Sequence, residues 1–392
     1  MDFIRNFPSP QDPKAFEDFY CRCPKFIFKV FGLWPSQSPL RKHITFIIGV
    51  LYTLSVVVPE AIFIPQCGLQ DFDIIVENLA AISLVLLGFG EYCVLYYNHS
   101  KFKELYAESL ENWEDIEDRK ERKILTKCVR IASLTGFIYA VFVMGGVILV
   151  PPCLPLTSVL MDHFYPMEND SHKFPPFYVD YVFFNQDNIY WISWLHMWLY
   201  YVLNILMNTG FVCIYILYVN EICGLSDILS FRLFTAHTSN VRAYGEILRN
   251  YSYNFEPFDL KKFVYLHNKS FRFCEMLEDN FNIIFLSVVM NSVLPISLLY
   301  YYVAYSSAPV LKRVGGAGIW MGLNAFLCLF HWIGQAIIDH SNRTFNSAYS
   351  SDWPGMSVKD RKILLLIMMR CSKPYVLTTG KILPLSMESF GK

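Results

Sequence analysis

The chain has 392 residues, of which 54% are hydrophobic and 17% charged, with a mean hydropathy of +0.31. An ordinary soluble domain carries about 25% charged residues, so this composition excludes a soluble globular protein and indicates a polytopic membrane protein. The net charge of −1 leaves no basic excess and argues against a general nucleic-acid-binding role.

Residues 1–42 contain no apolar core of the signal-peptide type, so no cleavage is expected there. Within them, Phe26 to Pro35 (FIFKVFGLWP) is aromatic and amphipathic and is expected to lie along the inner membrane surface. Six long apolar stretches follow, at about Ile44–Ile64, Ile74–Tyr97, Val129–Val150, Trp191–Tyr218, Ile283–Tyr305 and Gly316–Ile338. At this length the fold class is all-α, a helical membrane bundle, because a helix satisfies its own backbone in lipid. The fourth stretch exceeds what a bilayer requires, so its inner end is expected to project into the cytoplasm. A later run, Ile363 to Met369, is too short to cross a membrane that needs about 20 apolar residues.

Loop charge gives the orientation. Segments 1–42, 98–127 and 219–282 carry seven Lys or Arg each. The alternate loops are poor in them: none between the first two spans, Lys173 alone in 151–190, and Lys312 and Arg313 in 306–315. The alternation predicts a cytoplasmic N-terminus. A G-protein-coupled receptor has the opposite arrangement, and a transporter would be expected to show an internal repeat, which is absent.

Acidic residues in spans are costly in lipid. Glu60, Glu77, Glu91 and Asp339 all fall near span ends, where most are expected to reach headgroups or water. Glu77, one turn into span 2 near the outer face, is the best candidate for a functional carboxylate. His267, a lone histidine on an inner-loop helix over Lys261–Phe281, reads as a packed residue rather than a metal ligand or pH switch. Cys21-Arg22-Cys23 lacks the further ligands of a zinc site. Neither GxxxxGK[ST] nor HExxH occurs, no Ser/His/Asp constellation is recognisable, and neither enzyme activity nor a cofactor is expected. Asn169-Asp-Ser is the one acceptor sequon in an outer loop, since Asn98, Asn250, Asn268 and Asn342 fall on the inner side. Cys67 and Cys153 also lie in outer loops, where a disulfide between them is open.

Four sequence elements occur in a characteristic order. Gly32-Leu33-Trp34-Pro35 precedes the first span, and Leu105…Trp113 leads into a charged helix in the first inner loop. His267, Phe273, Leu277-Glu278 and Phe281 lie in the long inner loop. Near the end, Ala348-Tyr349-Ser350-Ser351-Asp352-Trp353 is followed by Lys373-Pro374, Leu377-Thr378, Gly380-Lys381, Leu385-Ser386, Glu388 and Phe390. Together with the topology, they resemble the insect odorant receptors, seven-span ligand-gated cation channels with a cytoplasmic N-terminus. The chain departs from the family pattern at Pro354, where an aromatic residue is usual. It lacks the TYxxxxxQF-type signature of the gustatory relatives and the longer second inner loop of the co-receptor, so it resembles a ligand-tuned subunit.

The resemblance implies three regions: a cytoplasmic segment 1–42 with an interfacial helix, a six-span bundle 43–338, and 339–392, a cytoplasmic helix plus the start of the last membrane helix. In the family that last helix lines the pore. With Lys381, Pro384, Glu388 and Lys392 in residues 375–392, a complete seventh span is not expected there. The implied function is binding of a small volatile odorant and gating of a cation channel, as a heterotetramer with the co-receptor, in the lipid of the plasma membrane of olfactory sensory neurons. The family binds odorants in an outer-leaflet pocket among spans 2 to 6. Apolar ligands gain affinity from aromatic and Met walls with few polar anchors. Trp194, Met197, Trp198 and Tyr201 share a face of span 4, and Tyr139, Phe142 and Gly146 a face of span 3. With Glu77 these are the expected ligand-binding residues.

Overall fold

The computed structural model describes residues 20–68, 71–164, 178–182, 184, 188–240, 260–351 and 353–391, without the side chains of 147–164 and 234–240, Leu311 and Gly355. Asn169 lies outside the described residues, as does the side chain of Cys153, so neither the sequon nor the Cys67–Cys153 pair is placed.

The first helix, α1 (Arg22–Val30), leads into α2 (Pro39–Phe63), whose start combines Pro39 with an N-cap in which Ser38 Oγ accepts from the Arg41 N–H. Then come α3 (Phe72–Tyr97), α4 (His99–Glu114), α5 (Arg119–Phe164), α6 (Tyr190–Asn240), α7 (Leu260–Tyr305), α8 (Val310–Tyr349) and α9 (Val358–Cys371). A short hairpin, β1 (Thr378–Thr379) and β2 (Leu383–Pro384), precedes α10 (Met387–Phe390). Among the described residues six helices are long and apolar enough to cross a membrane, and they contain the six stretches expected from sequence. "Inner" below denotes the end bearing the basic segments.

The bundle is built around α6. At 51 residues it runs about 75 Å, far beyond the roughly 30 Å hydrocarbon layer. Its middle is buried on every side: Phe211, Ile214, Tyr215, Tyr218, Ile222 and Leu225 are all within the core. Phe211 and Tyr215 pack with Phe285 of α7 and Phe330 of α8, with Tyr215–Phe330 centroids 4.9 Å apart. Spans 3, 4 and 5 thus continue as unbroken helix past the expected boundaries, and the inner extensions of α6 and α7 pack on one another rather than ending as loops.

α1 packs on α6 through one face and leaves Phe26 and Val30 exposed on the other. Ile27, Phe28 and Trp34 are buried, and a Cβ at Gly210 of α6 would come within 2.6 Å of Ile27 Cγ2. The missing side chain at Gly210 is what lets α1 sit against α6. The motif Leu377–Lys381 becomes the hairpin. Gly380 and Lys381 both have positive φ, +58° and +61°, the requirement of a type I′ turn, and the Ile382 N–H donates to Thr379 O at 3.0 Å. The Gly380 N–H donates to Asn282 O of α7, and Leu385 O would lie 2.6 Å from a Cβ on Gly334 of α8. The hairpin is wedged between α7 and α8, and Ser386 caps α10 after it.

Candidate ligand-binding site

The outer half of α6 is the richest aromatic surface near the outer face. Trp194 and Trp198 stack with centroids 5.6 Å apart, and Tyr201 continues their face one turn inward. All three are half-buried, whereas Met197 is completely covered. The difference is rotational: Met197 belongs to the stripe Tyr190, Ser193, Met197, Tyr200 and Asn204 that turns toward α2 and α3. There Tyr200 OH is paired with Thr53 Oγ1 at 3.1 Å, and Asn204 Nδ2 donates to Val85 O.

Glu77 does not simply snorkel. Its carboxylate accepts from Tyr302 OH at 3.1 Å and pairs with Lys312 Nζ at 3.2 Å, joining α3, α7 and α8 near their outer ends. Lys312 also stands 4.8 Å over the Tyr178 ring. The loop stretch 178–182 is thereby pinned as a roof. Asn78 Nδ2 donates to Tyr178 O at 2.8 Å, Tyr178 stacks on Phe63, and the Asp180 N–H donates to Pro59 O at 3.0 Å. Asp180 itself accepts from the Gln66 side chain and the Val182 N–H, which holds its carboxyl below the usual range. Burial pushes the Tyr181 phenol up to about 12, and its oxygen is paired with His196 Nδ1.

The three span-3 residues do not join this surface. Phe142 is 72% exposed, and a Cβ at Gly146 would meet nothing within 4 Å. The buried stripe of α5 runs through Leu125, Val129, Ala132 and Gly136, and Phe142 lies off it. In a bilayer the outward surface of a helix is as apolar as its packed one, so an aromatic residue does not reveal which way it faces. Tyr139 is on the packed side but sits deeper. Its hydroxyl donates to Asn208 Oδ1 at 2.8 Å, and Asn208 lies seven residues, about 10 Å, inward of Tyr201.

Asn208 carries the feature least visible in the sequence. Its Nδ2 donates to both oxygens of Glu91 at 3.0 and 3.1 Å, so α3, α6 and α5 are linked through Glu91, Asn208 and Tyr139. Glu91 is fully buried, and so is Glu60; neither reaches water, contrary to the expectation from their positions near span ends. The segments around α1, α4 and the roof cover ground that the sequence reading left to solvent. Further inward, Glu221 accepts from Ser109 Oγ at 2.6 Å and Asn112 Nδ2 at 3.0 Å, and Arg232 grips Glu121 with two bonds of 2.6 and 2.8 Å. These bonds fix α4 and α5 to α6. His267 is packed as expected, stacked on Phe263 with Nε2 3.3 Å from Cys371 Sγ. A small cavity beside it, between Ser226, Thr344, Arg370 and Tyr375, has room for about one water molecule and is too small for an organic ligand.

The outer half thus carries an aromatic surface on α6, an ion-paired carboxylate on α3 facing α7 and α8, and a pinned roof. Aromatic walls with few polar anchors are the lining a small apolar ligand takes. Among known proteins, the family model described as 7tm odorant receptor matches residues 72–392. Putative odorant receptor 69a, isoform B, of Drosophila melanogaster is 26% identical over 136 residues, 33% of each chain. Odorant receptor Or2 of Anopheles gambiae is 30% identical over 77 residues, 20% of each chain. The alignments thus span a third or less of these curated relatives. The fold is similar to that of the olfactory receptor OR5 of Machilis hrabei, solved with eugenol, with a TM-score of 0.77 over 97% of this chain and 96% of that one at 14% identity. A second structure of the same receptor gives 0.74. On the family match over residues 72–392 and the six helices long and apolar enough to cross a membrane, the chain is a multi-pass membrane protein and belongs to the 7tm odorant receptor family.

Proposed function

We propose that the chain is a ligand-tuned odorant receptor subunit that binds small volatile molecules in the outer half of its bundle and gates a non-selective cation channel together with a co-receptor. The observation that carries this reading is the family match over residues 72–392. Two structural features support it: the Trp194–Trp198 stack offers a flat apolar surface for a small ring or chain, and the Glu77–Lys312–Tyr302 group offers polar anchors across α3, α7 and α8. A receptor of similar fold holds eugenol, a ligand of this size and polarity. Of the expected ligand-binding residues, Trp194, Met197, Trp198, Tyr201 and Glu77 are retained in the proposal, Tyr139 acts from below through Asn208, and Phe142 and Gly146 are set aside. The chain sits in the plasma membrane of olfactory sensory neurons with its N-terminus inside, as the loop charges require, and assembles with the co-receptor in a heterotetramer. Current recordings from cells expressing the chain with the co-receptor test this reading. At least one member of a broad volatile panel is expected to evoke a current absent from cells with the co-receptor alone. A chain that reaches the cell surface and responds to none would contradict it.

A further inference from the structure

Among the described residues of the outer half, Glu60 is the carboxyl left without a hydrogen-bond partner. It stands on the inward side of α2, one turn beyond Val56, and is fully buried. Neither Oε1 nor Oε2 has a hydrogen-bond partner among the described residues. The surrounding groups are the phenols of Tyr181, Tyr200 and Tyr201, which interact with the carboxyl electrostatically. Two of them are committed elsewhere, Tyr181 to His196 and Tyr200 to Thr53. The Asp180 N–H goes to Pro59 O rather than to the carboxyl. On α6, Trp194 Nε1 is buried with no hydrogen-bond partner among the described residues. The other acids of the bundle's core are answered, Glu91 by Asn208, Glu221 by Ser109 and Asn112, and Glu77 by Lys312.

An unanswered carboxyl in a low-dielectric interior is costly, and a donor that pairs with it recovers that cost. The missing partner must donate hydrogen bonds, and to satisfy both oxygens it needs more than one donor. A protonated amine has two or three N–H donors and a charge that a buried carboxylate complements, and aromatic side chains around it add cation–π attraction. A neutral alcohol has one donor and no charge. We infer that Glu60, with the phenols of Tyr181 and Tyr201 about it, is an anchor for the basic nitrogen of a small amine whose apolar body lies along the Trp194–Trp198 surface that Tyr201 continues. The inference rests on the odorant-binding reading and narrows the ligand class to one.

The test uses the full chain purified into lipid nanodiscs, with quenching of tryptophan fluorescence as the readout. The probes are 2-phenylethylamine and 2-phenylethanol, which share a body and differ in the polar head. At pH 7 the wild-type chain is expected to bind the amine about tenfold more tightly than the alcohol, the size of one good charge-assisted contact. Glu60→Gln is expected to bring the ratio close to one, and Glu60→Asp to retain part of it. Equal affinity of the wild type for the two probes would overturn the inference with no variant needed. A preference that survives in a folded Glu60→Gln protein would also overturn it. A chain that binds the alcohol and other neutral volatiles without amine preference sinks only this inference, whereas a folded chain that binds no volatile at all sinks the odorant-binding reading with it.

Discussion

Replacing Asn208 by Leu removes the centre of the Glu91–Asn208–Tyr139 chain, and the cost can be worked bond by bond. Tyr139→Phe deletes one 2.8 Å interhelical bond. Interhelical bonds in bilayer proteins average about 0.6 kcal/mol with a maximum near 1.7, so that single change is expected to cost about 1 kcal/mol. Asn208→Leu deletes the same bond and also both contacts to Glu91, leaving a fully buried carboxyl with nothing to accept from. An orphaned buried polar group adds roughly 1–3 kcal/mol, which puts Asn208→Leu at about 2–4 kcal/mol. Once Asn208 is gone, Tyr139→Phe has no bond left to remove. The double variant is then expected to be no less stable than Asn208→Leu alone, a coupling of about 1 kcal/mol. Equilibrium unfolding of the purified chain and its three variants measures the cycle. Additivity within about 0.5 kcal/mol would refute a shared network and return Tyr139 to an independent role.

Gly210→Leu is expected to displace α1, because a side chain there meets Ile27 Cγ2 at 2.6 Å and Phe28 Cε1 at 3.0 Å; protease cleavage near Arg22 and Lys25 should rise while the rest of the bundle stays protected. Lys312→Met leaves the half-buried Glu77 carboxylate with Tyr302 alone, so it is expected to lower the midpoint of thermal unfolding more than Lys312→Met combined with Glu77→Leu. A double variant as unstable as the single one would show that the pair is not what matters. Burial pushes the Cys371 thiol up to about 11, against the lowering effect of Arg370, so almost no thiolate exists at pH 7. Maleimide is expected to leave Cys371 unmodified in the folded chain and to label it after denaturation, as peptide mapping would show.

How much was legible in the sequence follows from what each signal encodes. Length and hydropathy place the six membrane-length helices of the described residues, since only a helix of that length satisfies its backbone in lipid. They did not say which side of a span packs, because lipid and core are equally apolar. Phe142 and Tyr139, three residues apart, were therefore read as one face, yet one is turned outward and the other is bound to Asn208. Acidic residues were recognisable as costly, but their partners were not. Asn208, Ser109 and Asn112 are neutral residues on other helices, with no spacing that ties them to Glu91 or Glu221. Glu60 shows a related limit: its distance from the span end gives no sign of the roof at 178–182 that closes over it. The Leu377–Lys381 motif was visible as a motif, while the hairpin it forms depends on Gly380 and Lys381 both taking positive φ against α7.

The location of the ligand is the central claim, and photolabelling tests it most directly. A diazirine analogue of an activating volatile, applied to the full chain in membranes and followed by peptide mapping, reports where the ligand rests. Adducts are expected on α6 between Tyr190 and Asn204, with a second set on the roof or on the outer ends of α3, α7 and α8. Adducts confined to the inner end, around Ser226, His267 and Tyr375, would contradict an outer-half site.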